Sequence, residues 1–329
     1  MRKMVENMFF LLNRDILKNR AVAFGMTALF ILGVAVCHAE DESWKFARIS
    51  DCQGGFVRTG GEIAKAIVQE KVDLVIVAGD LDNRGSDVAY KRWREVMSPI
   101  YQAGIPVYPV RGNHDAAGGG KTWKDAFGAD IPDNGPTNEV DFTYFVTNKN
   151  ALFIGIDVYV NTNRSHRVNQ GWLDKVIAKN TLPHVFVYAH EPAFKVLHAD
   201  CLGAYPEDRN KFWETLKRAG CRVYFCGHDH VVDHARIDDG DGNPDNDIHQ
   251  YVGSTAGGSV YHGGNYDGKN APYVPVRVFH EEHGYSYLVG EIRGAEVKIC
   301  WKYRVKSNVF EQVGTWNYTV PGVKTGPAQ

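Results

Sequence analysis

In the first third of the chain, three short runs predicted to be strands alternate with segments of helical periodicity. The runs cover residues 45–50, 73–78 and 105–110, and apolar side chains recur at helical spacing in the intervening segments 61–71 and 88–103. The second run is continuously apolar, as in a strand of a parallel sheet that is covered on both faces. This alternation of strands and helices predicts an α/β fold.

Polar groups that can bind a metal ion follow each of these strands. Two later apolar runs, 185–189 and 222–226, end in the same way. The groups at the five strand ends are, in chain order, Asp51, Asp80, Asn113, His190 and the pair His228 and His230. Asn, Asp and Gly are ordinary turn residues, but the carboxyl edge of an open α/β sheet is also where ligands bind. We therefore expect the five strand ends to converge on one site.

The donors at these strand ends form a mixed set of carboxylates, an amide oxygen and imidazoles. Such a set suits Zn, Mn and Fe ions, and a carboxylate can bridge two ions because it has two oxygens. His228 and His230 would point to opposite faces of an extended segment. A tight turn, to which Gly227 could contribute, is therefore needed for both to reach the site.

The pattern changes near residue 230. Before it, strands at 142–146 and 151–157 could pair antiparallel. After it, the pattern predicts mainly strands, near residues 248–252, 285–292 and 297–303. The last residues, 305–329, carry few periodic cues, and we expect them to form an extended tail of a single domain that covers residues 40–329.

The first 39 residues have the layout of a secretory signal peptide. A basic lead precedes an apolar run at 21–36, and Cys37 and Ala39 supply small residues at the two positions that a signal peptidase reads. The run is slightly shorter than the roughly 20 apolar residues that a spanning helix needs. We therefore predict a secreted or periplasmic protein, with a retained membrane anchor as the alternative.

Composition restricts the partners of the mature chain. The full sequence has 37 basic and 39 acidic residues, and removal of residues 1–39 takes away five basic and two acidic ones, which leaves a formal net charge of −5. This balance argues against a broad nucleic-acid surface. Five cysteines remain, an odd number at irregular spacing, so they do not indicate a disulfide framework. A bridge between Cys201 and Cys221 stays open as an alternative.

The motifs resemble those of the calcineurin-like metallophosphoesterase superfamily. Its pattern is Asp-x-His, Gly-Asp, Gly-Asn-His-Asp/Glu, a lone His after a strand, and Gly-His-x-His. The matching segments of this chain begin at Asp51, Gly79, Gly112, His190 and Gly227, and the resemblance extends over residues 45–303. It implies a four-layer α/β/β/α sandwich, in which two mixed β-sheets face each other and helices lie outside.

The resemblance also implies a role for each residue of the motifs. One ion would be held by Asp51 and His230, the other by Asn113, His190 and His228, and Asp80 would bridge them. His114 would protonate the leaving oxygen or steady the phosphoryl group, and Asp115 would orient His114. The cofactor would be two divalent or mixed-valence transition-metal ions (Mn, Fe or Zn). About 3.5–4 Å apart, such ions clamp an in-line displacement and generate hydroxide at neutral pH.

Two positions depart from the family pattern. Gln53 stands where the first motif usually has His, so the first ion could bind less tightly, or Gln53 could act only by contacting the ligands. Asn83 stands where the purple acid phosphatase branch has Tyr, so a purple, tyrosinate–iron enzyme is not expected. Of the other histidines, His198 could reach the substrate, whereas His262, His280 and His283 are interpreted as structural or solvated.

The sequence predicts an exported phosphoesterase that hydrolyses a small phosphate ester. The alternatives are a phosphodiesterase acting on nucleotides or lipid headgroups, and a non-catalytic envelope binding protein on a phosphoesterase scaffold. The acidic segment 238–247 resembles a calcium loop, but Pro244 replaces the usual glycine and no Glu closes the set. We interpret it as a solvated hairpin loop.

Overall fold

The computed structural model describes residues 43–160, 165–253, 255–282 and 284–321. The predictions for residues 1–39 and for His283 lie outside these ranges. Within them the helices are α1 (Phe56–Glu70), α2 (Asp87–Val96), α3 (Ser98–Gln102), α4 (Asn113–Ala117), α5 (Gly120–Phe127), α6 (Gln170–Lys179) and α7 (Pro206–Arg218). None of these helices is long and apolar enough to cross a membrane.

The strands of the described residues form two mixed sheets. They are β1 (Trp44–Ile49), β2 (Leu74–Ala78), β3 (Val107–Val110), β4 (Tyr144–Asn148), β5 (Ala151–Gly155), β6 (His184–Tyr188), β7 (Val223–Cys226), β8 (Val232–Asp238), β9 (Ile248–Val252), β10 (Val274–Glu281), β11 (Ser286–Arg293), β12 (Glu296–Lys306) and β13 (Val309–Thr319). One sheet has the order β13-β12-β11-β1-β2-β3, and the other has the order β10-β8-β9-β7-β6-β5-β4. The predicted four-layer sandwich is confirmed.

An aromatic layer joins the two sheets. Phe46 of β1 lies 5.1 Å from Phe153, 4.9 Å from Phe186 and 5.8 Å from Phe225, measured between ring centroids, and all three partners belong to the other sheet. All four rings are fully buried. Because buried aromatic rings contribute large apolar areas, this layer holds the sheets face to face.

Parallel pairing brings the carboxyl ends of the site-bearing strands to one edge. β1 pairs with β2 and β2 with β3 in parallel, and in the other sheet β6 pairs with β7 in parallel. The two sheets meet at this edge, where the His228 amide, after β7, donates to Asp51 Oδ1, after β1, at 3.0 Å. The loops that carry the predicted ligands therefore leave the sheets side by side.

The predicted extended tail is wrong for the described part of its range, up to residue 321. β13 pairs antiparallel with β12 along its length, after a turn in which Asn308 has a φ of 56°. Trp316 and Tyr318 of β13 pack against the core. The alternating pattern was hard to recognise because Gly314 and two register shifts in the β12–β13 pairing interrupt it.

Other differences are local. The predicted helix at 88–103 is divided into α2 and α3 at Met97, just before Ser98 and Pro99, since proline has no amide hydrogen to continue a helical ladder. The acidic segment joins the antiparallel strands β8 and β9, as a hairpin loop should. The five cysteines of the described residues are free and buried, so no Cys201–Cys221 bridge forms.

Candidate metal centre

The ligand loops turn sharply at the residues that carry the donor groups. Asp51, Asp80, His228 and His230 all have left-handed backbones, with φ between 52° and 72°. Such conformations are uncommon for residues other than glycine and cluster at functional sites. Hydrogen bonds hold them in place: the Asp51 amide donates to the Gly79 carbonyl at 3.0 Å. The left-handed turns return each side chain over the sheet edge.

Gly227 serves the site by its size rather than by its backbone conformation. The φ angle of Gly227 is not positive, whereas those of His228 and His230 are. These two histidines therefore make the turn to which we expected Gly227 to contribute. A Cβ atom at Gly227 would collide with the Asp51 carboxylate. Glycine therefore allows the Gly-His-x-His loop to approach the first ligand loop.

Three donors from three loops form one group. Asn113 Oδ1 lies 3.1 Å from His190 Nε2 and 3.2 Å from His228 Nδ1, and these two ring nitrogens are 3.2 Å apart. His190 Nδ1 donates to the Ala78 carbonyl at 2.9 Å. This bond leaves Nε2 as the free lone pair, an arrangement common in metal-ligating histidines.

A second group lies beside the first, with Asp80 between them. Asp51 Oδ1 is 3.3 Å from His230 Nε2, and His230 Nδ1 donates to the Ser259 carbonyl. Asp80 Oδ2 is 3.3 Å from His190 Nε2 in the first group. The structure thus brings the six predicted ligands together, and ligand atoms of Asp51, Asp80 and His190 lie within 4.8 Å of one another.

Gln53 joins the second group. Its Nε2 atom lies 3.1 Å from His230 Nε2 and 3.2 Å from Asp80 Oδ2, and its side chain is buried. Gln53 Oε1 is buried without a hydrogen-bond partner among the described residues. Rotation of the amide by 180° would turn this oxygen toward His230 and Asp80. A cation would satisfy the oxygen, so the donor set fits a metal ion here.

The electrostatics of the cluster also favour bound positive charge. Burial alone would lower the pKa of His190, but the Asp80 and Asp51 carboxylates outweigh it and raise the pKa to about 10. Burial alone would raise the pKa of Asp51, but the charge and the hydrogen bond of His230 outweigh it and hold the pKa below its usual range. Without a metal, protons on the imidazoles would balance the carboxylates; metal ions can replace those protons.

His114 lies at the mouth of this cluster. Its amide donates to Asp80 Oδ1 at 3.0 Å, its Nε2 is 4.0 Å from Asp80 Oδ2, and its side chain is 43% exposed. Its Nδ1 lies 3.0 Å from the Asn83 carbonyl, to which it can donate. The ring is therefore held at one nitrogen and open to the cleft at the other.

The predicted role of Asp115 is wrong in its details. The Asp115 carboxylate accepts from the amides of Leu81 and Gly112 and from the Tyr90 hydroxyl, at 2.9 to 3.2 Å. These bonds tie the two loops after β2 and β3 together, while the Asn83 carbonyl orients His114. Burial and the charge of Asp80 raise the pKa of Asp115 to about 7.

His198 lies beside the candidate centre, and its predicted contact with the substrate stays a prediction. Its ring centroid is 4.8 Å from that of His228, and its Nδ1 contacts Asp229 Oδ1 at 2.7 Å. The hydrogen bond to Asp229 raises the pKa of His198 above its usual value. Sequence reasoning missed the buried Asp229, although its place between His228 and His230 was a usable signal.

Two more residues lie at the rim. Asp200 Oδ1 lies 3.5 Å from His228 Nε2, and the Tyr261 ring stacks on His230 at a centroid distance of 4.5 Å. Neither belongs to a recognisable motif. His262 and His280 lie instead against Glu282 and Asp233, which agrees with a structural or solvated role.

Comparisons with known proteins bear on the family and the fold. Residues 45–232 match the family model for calcineurin-like phosphoesterases. Among solved structures, a purple acid phosphatase from seeds of yellow lupin (Lupinus luteus) is 12% identical with a TM-score of 0.64, over 85% of this chain and 54% of that one. The present chain thus spans about half of the lupin enzyme.

Two other solved structures are similar. GAP50, the anchor in the inner membrane complex of Plasmodium, is 16% identical with a TM-score of 0.61, over 86% of this chain and 90% of that one. PhoD is 13% identical with a TM-score of 0.61, over 88% and 73%. At these identities the likeness establishes the fold. A comparison with curated protein sequences gave no match.

Proposed function

This chain belongs to the calcineurin-like phosphoesterase family, and on that premise we propose that it is a metal-dependent phosphoesterase that hydrolyses a small phosphate ester at a centre of two metal ions. One observation carries the proposal. Six side chains from five strand ends converge, and the carboxylate of Asp80 lies between the two groups that they form. A bridging carboxylate is what a pair of ions requires.

Each group would hold one ion. Asp51, His230 and the Gln53 oxygen would bind the first, Asn113, His190 and His228 the second, and Asp80 both. The mixed nitrogen and oxygen donors suit Mn, Fe or Zn. Such ions, when bound, supply an acidified water and offset the charge of a phosphoryl group. The buried, unsatisfied Gln53 Oε1 supports the first assignment.

The remaining chemistry would fall to two exposed imidazoles. His114, held by the Asn83 carbonyl, turns its Nε2 to the cleft and would donate a proton to the leaving oxygen. His198, held by Asp229, would donate a hydrogen bond to a phosphoryl oxygen. Asn83 leaves no tyrosinate at the position used by purple acid phosphatases, so the proposal does not extend to a purple centre.

Metal analysis and turnover test this proposal together. We expect two ions per chain and hydrolysis of p-nitrophenyl phosphate or bis-p-nitrophenyl phosphate. The His114→Ala variant should keep its metal content but lose turnover by about a hundredfold or more. Faster hydrolysis of the diester would favour the phosphodiesterase alternative. No bound metal and no turnover with Mn, Zn, Fe or Co would favour the binding-protein alternative, which the Gln53 departure supports.

The location of the enzyme is a separate proposal. The signal-peptide pattern at residues 1–39 supports export to the periplasm or the exterior. N-terminal sequencing of the protein recovered from its producing cells should then begin at Glu40. A chain that retains the apolar run at 21–36 and sediments with membranes would support the anchored alternative.

A further inference from the structure

An exposed aromatic side chain lies at the edge of the metal centre. Tyr261 stacks on His230 with an interplanar angle of 7°, and its ring lies 5.5 Å from that of His198 in an edge contact. The residue is 38% exposed. Because His230 covers one face of the ring, the open surface includes the opposite face.

The loop that carries Tyr261 is fixed against the ligands. The Gly257 amide donates to the Asp51 carbonyl at 3.2 Å, and the Gly263 amide donates to the Glu282 carboxylate. At Gly258 a Cβ atom would lie 2.8 Å from the His230 ring, which is closer than real Cβ contacts. The ring is thus held in place before any ligand binds, which lowers the entropic cost of binding.

Tyr261 differs from the other exposed tyrosine of the described chain. Tyr205 is 39% exposed, but the guanidinium of Arg167 lies over its ring at 3.6 Å. The ring contacts of Tyr261 are with two histidines that face the centre, His230 and His198. Tyr261 is therefore the exposed tyrosine of the described residues that borders the candidate centre.

We propose that Tyr261 is a stacking platform for a planar leaving group. The substrates would be phosphate esters whose alcohol carries an aromatic ring or a nucleobase. This inference rests on the proposed function, since a phosphoryl group held beside His230 places its alcohol near this ring. Aromatic faces attract each other in offset stacks, and an aromatic side chain stacks on any base because every base has a π-face.

Adenosine 5′-phosphate and ribose 5-phosphate test the proposal. Both lose phosphate from a primary alcohol of the same sugar, so their intrinsic reactivity is alike and only the base differs. We expect the wild type to prefer the nucleotide in kcat/KM by about fivefold or more. Tyr261→Leu should abolish the preference and Tyr261→Phe should keep it, while Tyr205→Leu, the matched exposed tyrosine, should leave the ratio unchanged.

A binding measurement separates this inference from the proposed function. Calorimetric titration of the Mn²⁺-loaded protein with the same two compounds, at a temperature and time that prevent turnover, should show the same preference and its loss in Tyr261→Leu. Absence of turnover with a retained binding preference would contradict only the proposed function. Affinities within twofold of each other, or a preference that survives in Tyr261→Leu, would overturn the platform. Circular dichroism and metal content check that the variant is folded.

Discussion

Two pairs of buried histidines in the second half of the chain have pKa values that are shifted in opposite directions. His190 and His230 lie in the candidate metal centre beside Asp51 and Asp80, and these carboxylates raise the pKa values of both histidines against the effect of burial. His234 of β8 and His249 of β9 are equally buried, and burial lowers their pKa values, to about 3 for His234 and about 2 for His249.

The surroundings of the His234–His249 pair explain the contrast. His234 Nε2 and His249 Nδ1 are 2.6 Å apart, and His249 stacks on Trp316 at 3.7 Å. The charges that act on His249 come from His234, Arg222 and Arg236, and all of them lower its pKa. Burial of histidine is therefore not a metal signal by itself. Carboxylate and amide oxygens beside the rings distinguish the candidate centre from a pair that belongs to the core.

The largest effect should come from removing an imidazole of the centre. His190→Ala should abolish binding of the second ion and reduce turnover by about a thousandfold or more. His249→Gln is the matched control, because it removes an equally buried imidazole that lacks oxygen donors. Metal analysis of the purified variants checks both. Loss of metal in His249→Gln, or retention of both ions in His190→Ala, would contradict the distinction between the two pairs of histidines.

The core pair should instead make stability sensitive to acid. Its pKa values are lower in the folded state than the ordinary value of about 6.5. The contribution of the pair to the free energy of unfolding is therefore complete above about pH 6.5. It is lost as the pH falls toward the pKa values of the folded state. By pH 4 each histidine would cost about 3 kcal/mol of unfolding free energy.

Urea unfolding of metal-free protein at several pH values measures this effect. His249→Gln should lose about 1 kcal/mol at pH 7.5, because its stack on Trp316 is gone. Between pH 6 and 4 the unfolding free energy of the variant should fall less steeply with decreasing pH than that of the wild type. The two slopes should differ by about 1.4 kcal/mol per pH unit. Groups common to both proteins cancel in this difference. Parallel curves would show that the pair is not held neutral by the fold.

A smaller effect should follow from adding an imidazole to the centre. Gln53→His replaces an amide that lies 3.1 Å from His230 Nε2, and imidazole is the better donor for these metals. We expect the affinity for the first ion to rise by about tenfold, with the second ion unchanged. Competition with a metal chelator measures the two affinities. An unchanged first affinity would show that Gln53 is no ligand.

The smallest effect should come from the rim. Asp200 contacts His228 Nε2 from an exposed position, with its side chain 57% exposed. Asp200→Asn should lower the affinity for the second ion by no more than about tenfold, because solvent screens an exposed carboxylate. Chelator competition checks this expectation as well. A loss comparable to that of His190→Ala would mean that Asp200 binds the ion itself.

The centre was largely predictable because its donors are carried by short motifs. Asp51, Asp80 and Asn113 each follow a strand within a few residues, and parallel pairing alone brings such strand ends together. The α/β/β/α architecture followed from the family pattern. What a linear motif cannot give is the partner of each side chain, which is why Asp115 was placed against His114 instead of against the amides of Leu81 and Gly112.

The rest of the site depends on contacts between distant segments. Tyr261 meets His230 only because its loop returns over the first ligand loop, and His198 is oriented by an aspartate 31 residues away. Edge strands were missed for a related reason. Val274, Val276 and Val278 of β10 recur at strand spacing but remain exposed, so this strand has no buried apolar face that would place it in the sheet.

Anomalous diffraction from crystals grown with Mn²⁺ tests the central claim most directly. We expect two peaks about 3.5–4 Å apart, one against Asp51 and His230 and one against Asn113, His190 and His228. The Asp80 carboxylate should lie between them. A map without density among these side chains, or with its main peak at the His234–His249 pair, would contradict it.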